Sequence, residues 1–114
     1  MNRFPLWLLL SVSPSAAMAH AMLERAEPSA GAQLDHAPAQ LRLQFSEPLE
    51  PAFSGVSIMD SANHSVAREA SVISGVTMTI RLNQIPPGEY HVQWHAVSVD
   101  THRTEGSYSF TVRP

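Results

Sequence analysis

Apolar and polar residues alternate one by one in four stretches of this chain. In residues 40–45, Leu41, Leu43 and Phe45 are separated by Arg42 and Gln44. Residues 76–82 repeat the pattern with Val76, Met78, Ile80 and Leu82. In residues 89–96, Tyr90, Val92, Trp94 and Ala96 take one parity, and His91, Gln93 and His95 the other. Tyr108, Phe110 and Val112 close the series. Successive strand side chains leave opposite faces, so each stretch predicts a half-buried strand with its apolar set turned inward.

Shorter runs over residues 20–27 and 55–59 predict two more strands, and residues 65–72 a weak one. Turn chemistry separates them: Pro28-Ser29-Ala30-Gly31, Asp35-His36-Ala37-Pro38, the two prolines of Glu47-Pro48-Leu49-Glu50-Pro51, residues 60–65, and Pro86-Pro87-Gly88. No segment sustains a helical period. About seven short strands with turns roughly every ten residues predict an all-β fold, an antiparallel β-sandwich. Its centre is expected at Trp94, Phe45, Tyr90 and Phe110.

The amino terminus departs from this pattern. Arg3 precedes an apolar run beginning Leu6-Trp7-Leu8-Leu9-Leu10, and Ala17-Met18-Ala19 forms a small-x-small cleavage site. Residues 1–19 therefore read as a secretory signal peptide cut after Ala19, too short and too interrupted to span a bilayer. Residues 20–114 are left as one domain that starts at His20. That domain has six Arg, no Lys and ten Asp or Glu, a formal charge of −4, which argues against nucleic acid as a partner. The chain has no Cys, so neither disulfides nor thiolate ligands are open to it.

Candidate chemistry gathers in the segment from Trp94 to Gly106. It leaves an aromatic-rich strand, crosses a short loop and enters the last strand. Asp100 and His102 stand two apart in the loop, and in an extended segment they would share a face. A cut after Ala19 gives His20 a free α-amine beside its imidazole, two nitrogens that can chelate one metal. With His102 and Asp100 the donor set is three nitrogens and one oxygen, without sulfur. Such a set suits Cu(II) in a tetragonal arrangement, while Zn(II) would take the same atoms as a tetrahedron. Glu47, at a strand end before a proline, is a further carboxylate for the surroundings of the metal. Nothing in the spacing alone brings residue 20 to residue 102.

Several stretches resemble the CopC family of periplasmic copper-binding proteins. They are His20-Ala21-Met22-Leu23 with Pro28-Ser29-Ala30-Gly31, Leu43-Gln44-Phe45-Ser46-Glu47-Pro48-Leu49, and Pro87-Gly88-Glu89-Tyr90-His91-Val92-Gln93-Trp94. The last runs into Ser98-Val99-Asp100-Thr101-His102, and Gly106, Phe110 and Val112 follow. They span nearly the whole of residues 20–114, in order. The resemblance implies a seven-stranded Greek-key sandwich or barrel of immunoglobulin-like or cupredoxin-like type. It implies one Cu(II) per chain held by His20, through amine and imidazole, with Asp100 and His102, and with Glu47 nearby. It also implies a periplasmic, monomeric protein that sequesters or delivers copper, with an inner-membrane transporter of the CopD type as partner.

Some members of that family carry a Met-rich loop for Cu(I). Residues 20–114 contain only Met22, Met59 and Met78, so the resemblance implies the Cu(II)-only kind. His91 and His95, roughly 13 Å apart along a strand, read as solvated, and His36 as a turn residue. Two other functions fit parts of the sequence. A small copper-dependent oxidase or oxygenase also uses an N-terminal histidine chelate, but this chain is short, lacks an array of exposed aromatics, and has an Asp where oxygen chemistry needs an open position. A bare immunoglobulin-like interaction module would make the histidines incidental.

Overall fold

The computed structural model describes residues 20–114; the signal peptide expected over residues 1–19 lies outside the described residues. The strands are β1 (Leu23–Glu27), β2 (Gln33–Leu34), β3 (Gln40–Phe45), β4 (Gly55–Met59), β5 (Val72–Ser74), β6 (Thr77–Arg81), β7 (Gly88–Val97) and β8 (Arg103–Val112). They form two four-stranded sheets, in the orders β1-β3-β6-β5 and β2-β8-β7-β4. The alternating positions explain the layering. Leu41, Leu43 and Phe45 from β3, Met78 and Ile80 from β6, and Tyr90, Val92 and Ala96 from β7 are all buried between the sheets. Phe110 and Val112 of β8 complete that layer. Tyr90 and Phe110 stack at 5.6 Å between ring centroids, and Phe45 meets Trp94 edge-on at 5.1 Å.

The sandwich is the one expected, with three local differences. The two-residue β2 pairs parallel with β8, in a region that reads only as turns because two residues carry no periodicity. The weak strand expected over residues 65–72 is instead a connection touching its neighbours at isolated bridges, Met59 with Ser65 and Ala67 with Leu82; the strand begins only at Val72. Trp94 is half-buried rather than central. Its partner across the β7–β8 ladder is Gly106, and the indole lies flat over that glycine: a Cβ there would stand 2.6 Å from Trp94 Cζ2 and 2.8 Å from Cε2.

The long β7–β8 hairpin fixes where the chemistry goes. Its register runs from Gly88↔Val112 to Val97↔Arg103, which leaves residues 98–102 as a five-residue loop at one end of the sandwich. The connection after β3 lies against that loop. Val99 N–H donates to the Pro48 carbonyl at 3.3 Å, and Glu50 N–H to Val97 at 2.8 Å. The turn before β6 joins them, with Leu49 N–H donating to Gly75 O at 2.9 Å. The entry to β1 arrives at the same end.

Candidate metal centre

The loop of residues 98–102 is a turn rather than an extended segment. Thr101 N–H donates to Ser98 O at 2.8 Å, and Ser98 N–H to His102 O at 3.0 Å. Thr101 sits at φ +73°, a left-handed conformation that a β-branched residue rarely adopts and that costs on the order of 1–3 kcal/mol. Asp100 and His102 therefore meet because the chain folds back on itself, and not through the strand alternation expected from their spacing. His102 Nδ1 lies 3.3 Å from Asp100 Oδ1, and the His102 amide donates to the same oxygen at 3.4 Å. The buried Ser98 hydroxyl also donates to Asp100 Oδ1. That hydroxyl is the main reason the Asp100 carboxyl is held below the usual carboxylate range. The His102 amide and ring add to it, and partial desolvation works the other way. These bonds all fall on Oδ1 and leave Oδ2 out.

His20 stands beside this loop. Its ring centroid is 4.8 Å from that of His102, with the planes tilted by 41°. Residues 20 and 102 thus come together although 82 positions separate them in the chain. Glu47 is half-buried in the neighbouring connection. On one side of it Ser46 bonds to the amino-terminal segment at Met22, and on the other Pro48 accepts from Val99.

Among the described residues no three His, Asp or Glu side chains are arranged to hold a metal ion by themselves. The side-chain set stops at two adjacent imidazoles and a carboxylate half-committed to its own loop. A chelate at this place needs a donor from the main chain, and the backbone nitrogen of His20 is covalently attached to one of the two imidazoles. The donors fit copper on that condition.

The remaining histidines lie elsewhere. His91 is exposed, with Nδ1 2.8 Å from Ser109 Oγ. His95 is half-buried rather than solvated, because its neighbour on β4 is Gly55. With no side chain there the ring lies on bare backbone, and a Cβ at Gly55 would be 3.3 Å from His95 Cε1. His64, at the turn after β4, pairs with Asp60 at 3.8 Å. The three methionines of residues 20–114 are dispersed: Met78 is fully buried core, Met22 is exposed next to Ala21, and Met59 pairs across the ladder with His91. A groove of about 930 Å³ is lined by residues such as Trp94, His95 and Glu69 and includes none of His20, Asp100 or His102. A single ion needs no such volume, so the donor geometry is the better guide.

Sequence reasoning missed the hydroxyls that hold this end together: Ser46, Ser98 and Thr104. The one available signal was Ser98, a polar residue continuing the inward parity of Trp94 and Ala96.

Comparison with known proteins places this geometry in context. Residues 23–113 match the family model described as CopC domain. Protein YobA of Escherichia coli strain K12 is 38% identical over 106 residues, covering 90% of this chain and 85% of that protein. The crystal structure of CopC from Methylosinus trichosporium OB3b superposes with a TM-score of 0.77 at 34% identity, over 83% of this chain and 95% of that one. PcoC from Escherichia coli, described as a methionine-rich copper resistance protein, gives a TM-score of 0.71 at 36% identity, over 83% of this chain and all of that one.

Proposed function

This chain belongs to the CopC family, copper-binding proteins of copper homeostasis rather than enzymes, and from that premise we propose that it carries one Cu(II) ion between His20 and the loop of residues 98–102. The ligands in this reading are the α-amine and imidazole of His20, His102 and Asp100, with Glu47 outside them. The observation that carries it is the 4.8 Å approach of the His20 and His102 rings, close enough for one ion at about 2 Å from each nitrogen. Asp100 serves two ends. Oδ1 holds the turn through the Ser98 hydroxyl and the His102 amide, and Oδ2 is the oxygen offered to the metal. The protein works in the periplasm as a monomer after cleavage at Ala19. It sequesters copper or passes it to an inner-membrane transporter of the CopD type.

The oxidation state follows from the donors. Nitrogen and oxygen ligands favour Cu(II), and soft thioethers favour Cu(I). Met22, Met59 and Met78 are too dispersed to build a soft site together, in contrast with a relative described as methionine-rich. Titration of the processed protein with each ion, against a chelator specific for that ion, tests this. One equivalent of Cu(II) should be retained and Cu(I) stripped. Retention of Cu(I), lost on Met59→Ala, would overturn the assignment.

A further inference from the structure

The amino-terminal segment is fixed one residue at a time. Beyond Leu23, which pairs with Phe45, the β1–β3 ladder continues for one more step, as Ser46 N–H donates to Met22 O at 2.9 Å. At this point β3 has ended, and a side chain replaces the missing backbone acceptor: Met22 N–H donates to Ser46 Oγ at 2.8 Å. The same hydroxyl donates to the His20 carbonyl at 3.4 Å. From the opposite sheet, Thr104 Oγ1 donates to the Ala21 carbonyl at 2.7 Å. Between these anchors the Ala21 side chain is wholly buried. The segment is thus tied to both sheets, by Ser46 at the end of β3 and by Thr104 near the start of β8.

Thr104 is two residues after His102, and Ala21 is one residue after His20. A bond between Thr104 and Ala21 therefore sets the distance between the two imidazoles. We propose that Ser46 and Thr104 are positioning residues of the copper site, a clamp that fixes the register of the amino terminus so that residue 20 alone can present its amine and ring to His102. This rests on the reading of His20 and His102 as ligands. Its consequence is strict: with Ala21 buried, the segment cannot slide by a residue to compensate for a misplaced cut. Ordering the segment before the ion arrives also lowers the entropy lost on binding.

The test uses the protein exported and processed to begin at His20. Ser46→Ala and Thr104→Val each remove one anchor while nearly keeping its volume. Two quantities are read: Cu(II) affinity by competition, and, without metal, the NMR contact between the His20 and His102 ring protons. Each variant should lower affinity about ten- to hundredfold, the range for residues that hold ligands in place. Each should also weaken the ring contact, and Thr104→Ser should restore both. Unchanged affinity, or lowered affinity with the ring contact intact, would overturn the clamp. If Thr104→Val fails to fold, Ser46→Ala at the half-buried end of β3 decides the matter alone. His20→Ala in the same assay separates the two claims. If it binds Cu(II) like the parent, the ligand assignment fails and the clamp falls with it; if it loses Cu(II) while the clamp variants keep their affinity, the clamp alone fails.

Discussion

His102→Ala should lower Cu(II) affinity at least tenfold, equivalent to about 1.4 kcal/mol, and leave the metal-free fold nearly untouched. The His102 side chain is about half exposed, 53%, and stands on a loop outside the core. Its removal opens no cavity, and surface changes of this kind stay within about 0.5 kcal/mol. What it takes away is one of two adjacent imidazoles and one of the groups facing Asp100 Oδ1. The controls are His91→Ala, whose ring lies against Ser109, and His36→Ala, two residues past β2; both should bind Cu(II) like the parent. Isothermal competition gives the affinities and thermal melting the stability. A loss shared equally by all three variants would mean that copper is held nonspecifically by surface histidines.

Gly106→Ala should destabilise the fold by about 2 kcal/mol, within the range for overpacking a filled site. A Cβ at residue 106 would stand 2.6 Å from Trp94 Cζ2, 2.8 Å from Cε2 and 3.0 Å from Nε1. The rigid edge of an indole ring must then shift as a unit, and the ring is also packed edge-on against Phe45. A domain of this size should lose roughly 8–16 °C in Tm at 4–8 °C per kcal/mol. Trp94 is the one tryptophan after residue 19, so displacement of its ring toward water should shift the emission to the red. If Trp94 is the cause, Trp94→Leu in the same chain should recover much of the loss, a coupling that a double-mutant cycle measures. A Gly106→Ala protein that melts with the parent and keeps its emission would show that the indole does not rest on that glycine.

The alternating strands were legible because burial of one face imposes a period of two, and β3, β6, β7 and β8 keep it without a break. The residues that break the pattern were harder. Trp94 has inward parity, but its half-exposed position depends on the absence of a side chain at residue 106, across the ladder. His95 reads as solvated until Gly55 is seen beneath it. At the site, donor chemistry was visible as Asp100-Thr101-His102 and as a histidine following a cleavage motif. The proximity of His20 to His102 was not visible, because it depends on hydrogen bonds from Ser46 and Thr104 to residues 20–22. Hydroxyls in this role look like ordinary strand and turn serines or threonines, and only the folded backbone shows which carbonyls they meet. The meeting of Asp100 with His102 was expected for the wrong reason: a turn at Thr101 brings them together, where the spacing suggested a strand.

The amine of residue 20 is the donor on which the copper assignment turns, since the side chains of the described residues do not complete a site alone. The most direct measurement is a Cu(II) titration, at one pH, of the protein beginning at His20 beside the same protein with a single Gly in front of it. All the side chains remain, the added residue lies outside the sandwich, and only the pairing of a free amine with an imidazole is lost. Affinity should fall at least tenfold in the extended form, about 1.4 kcal/mol, with no change in the melting of the metal-free proteins. Equal affinity in the two forms would contradict the assignment and require a site built from side chains only.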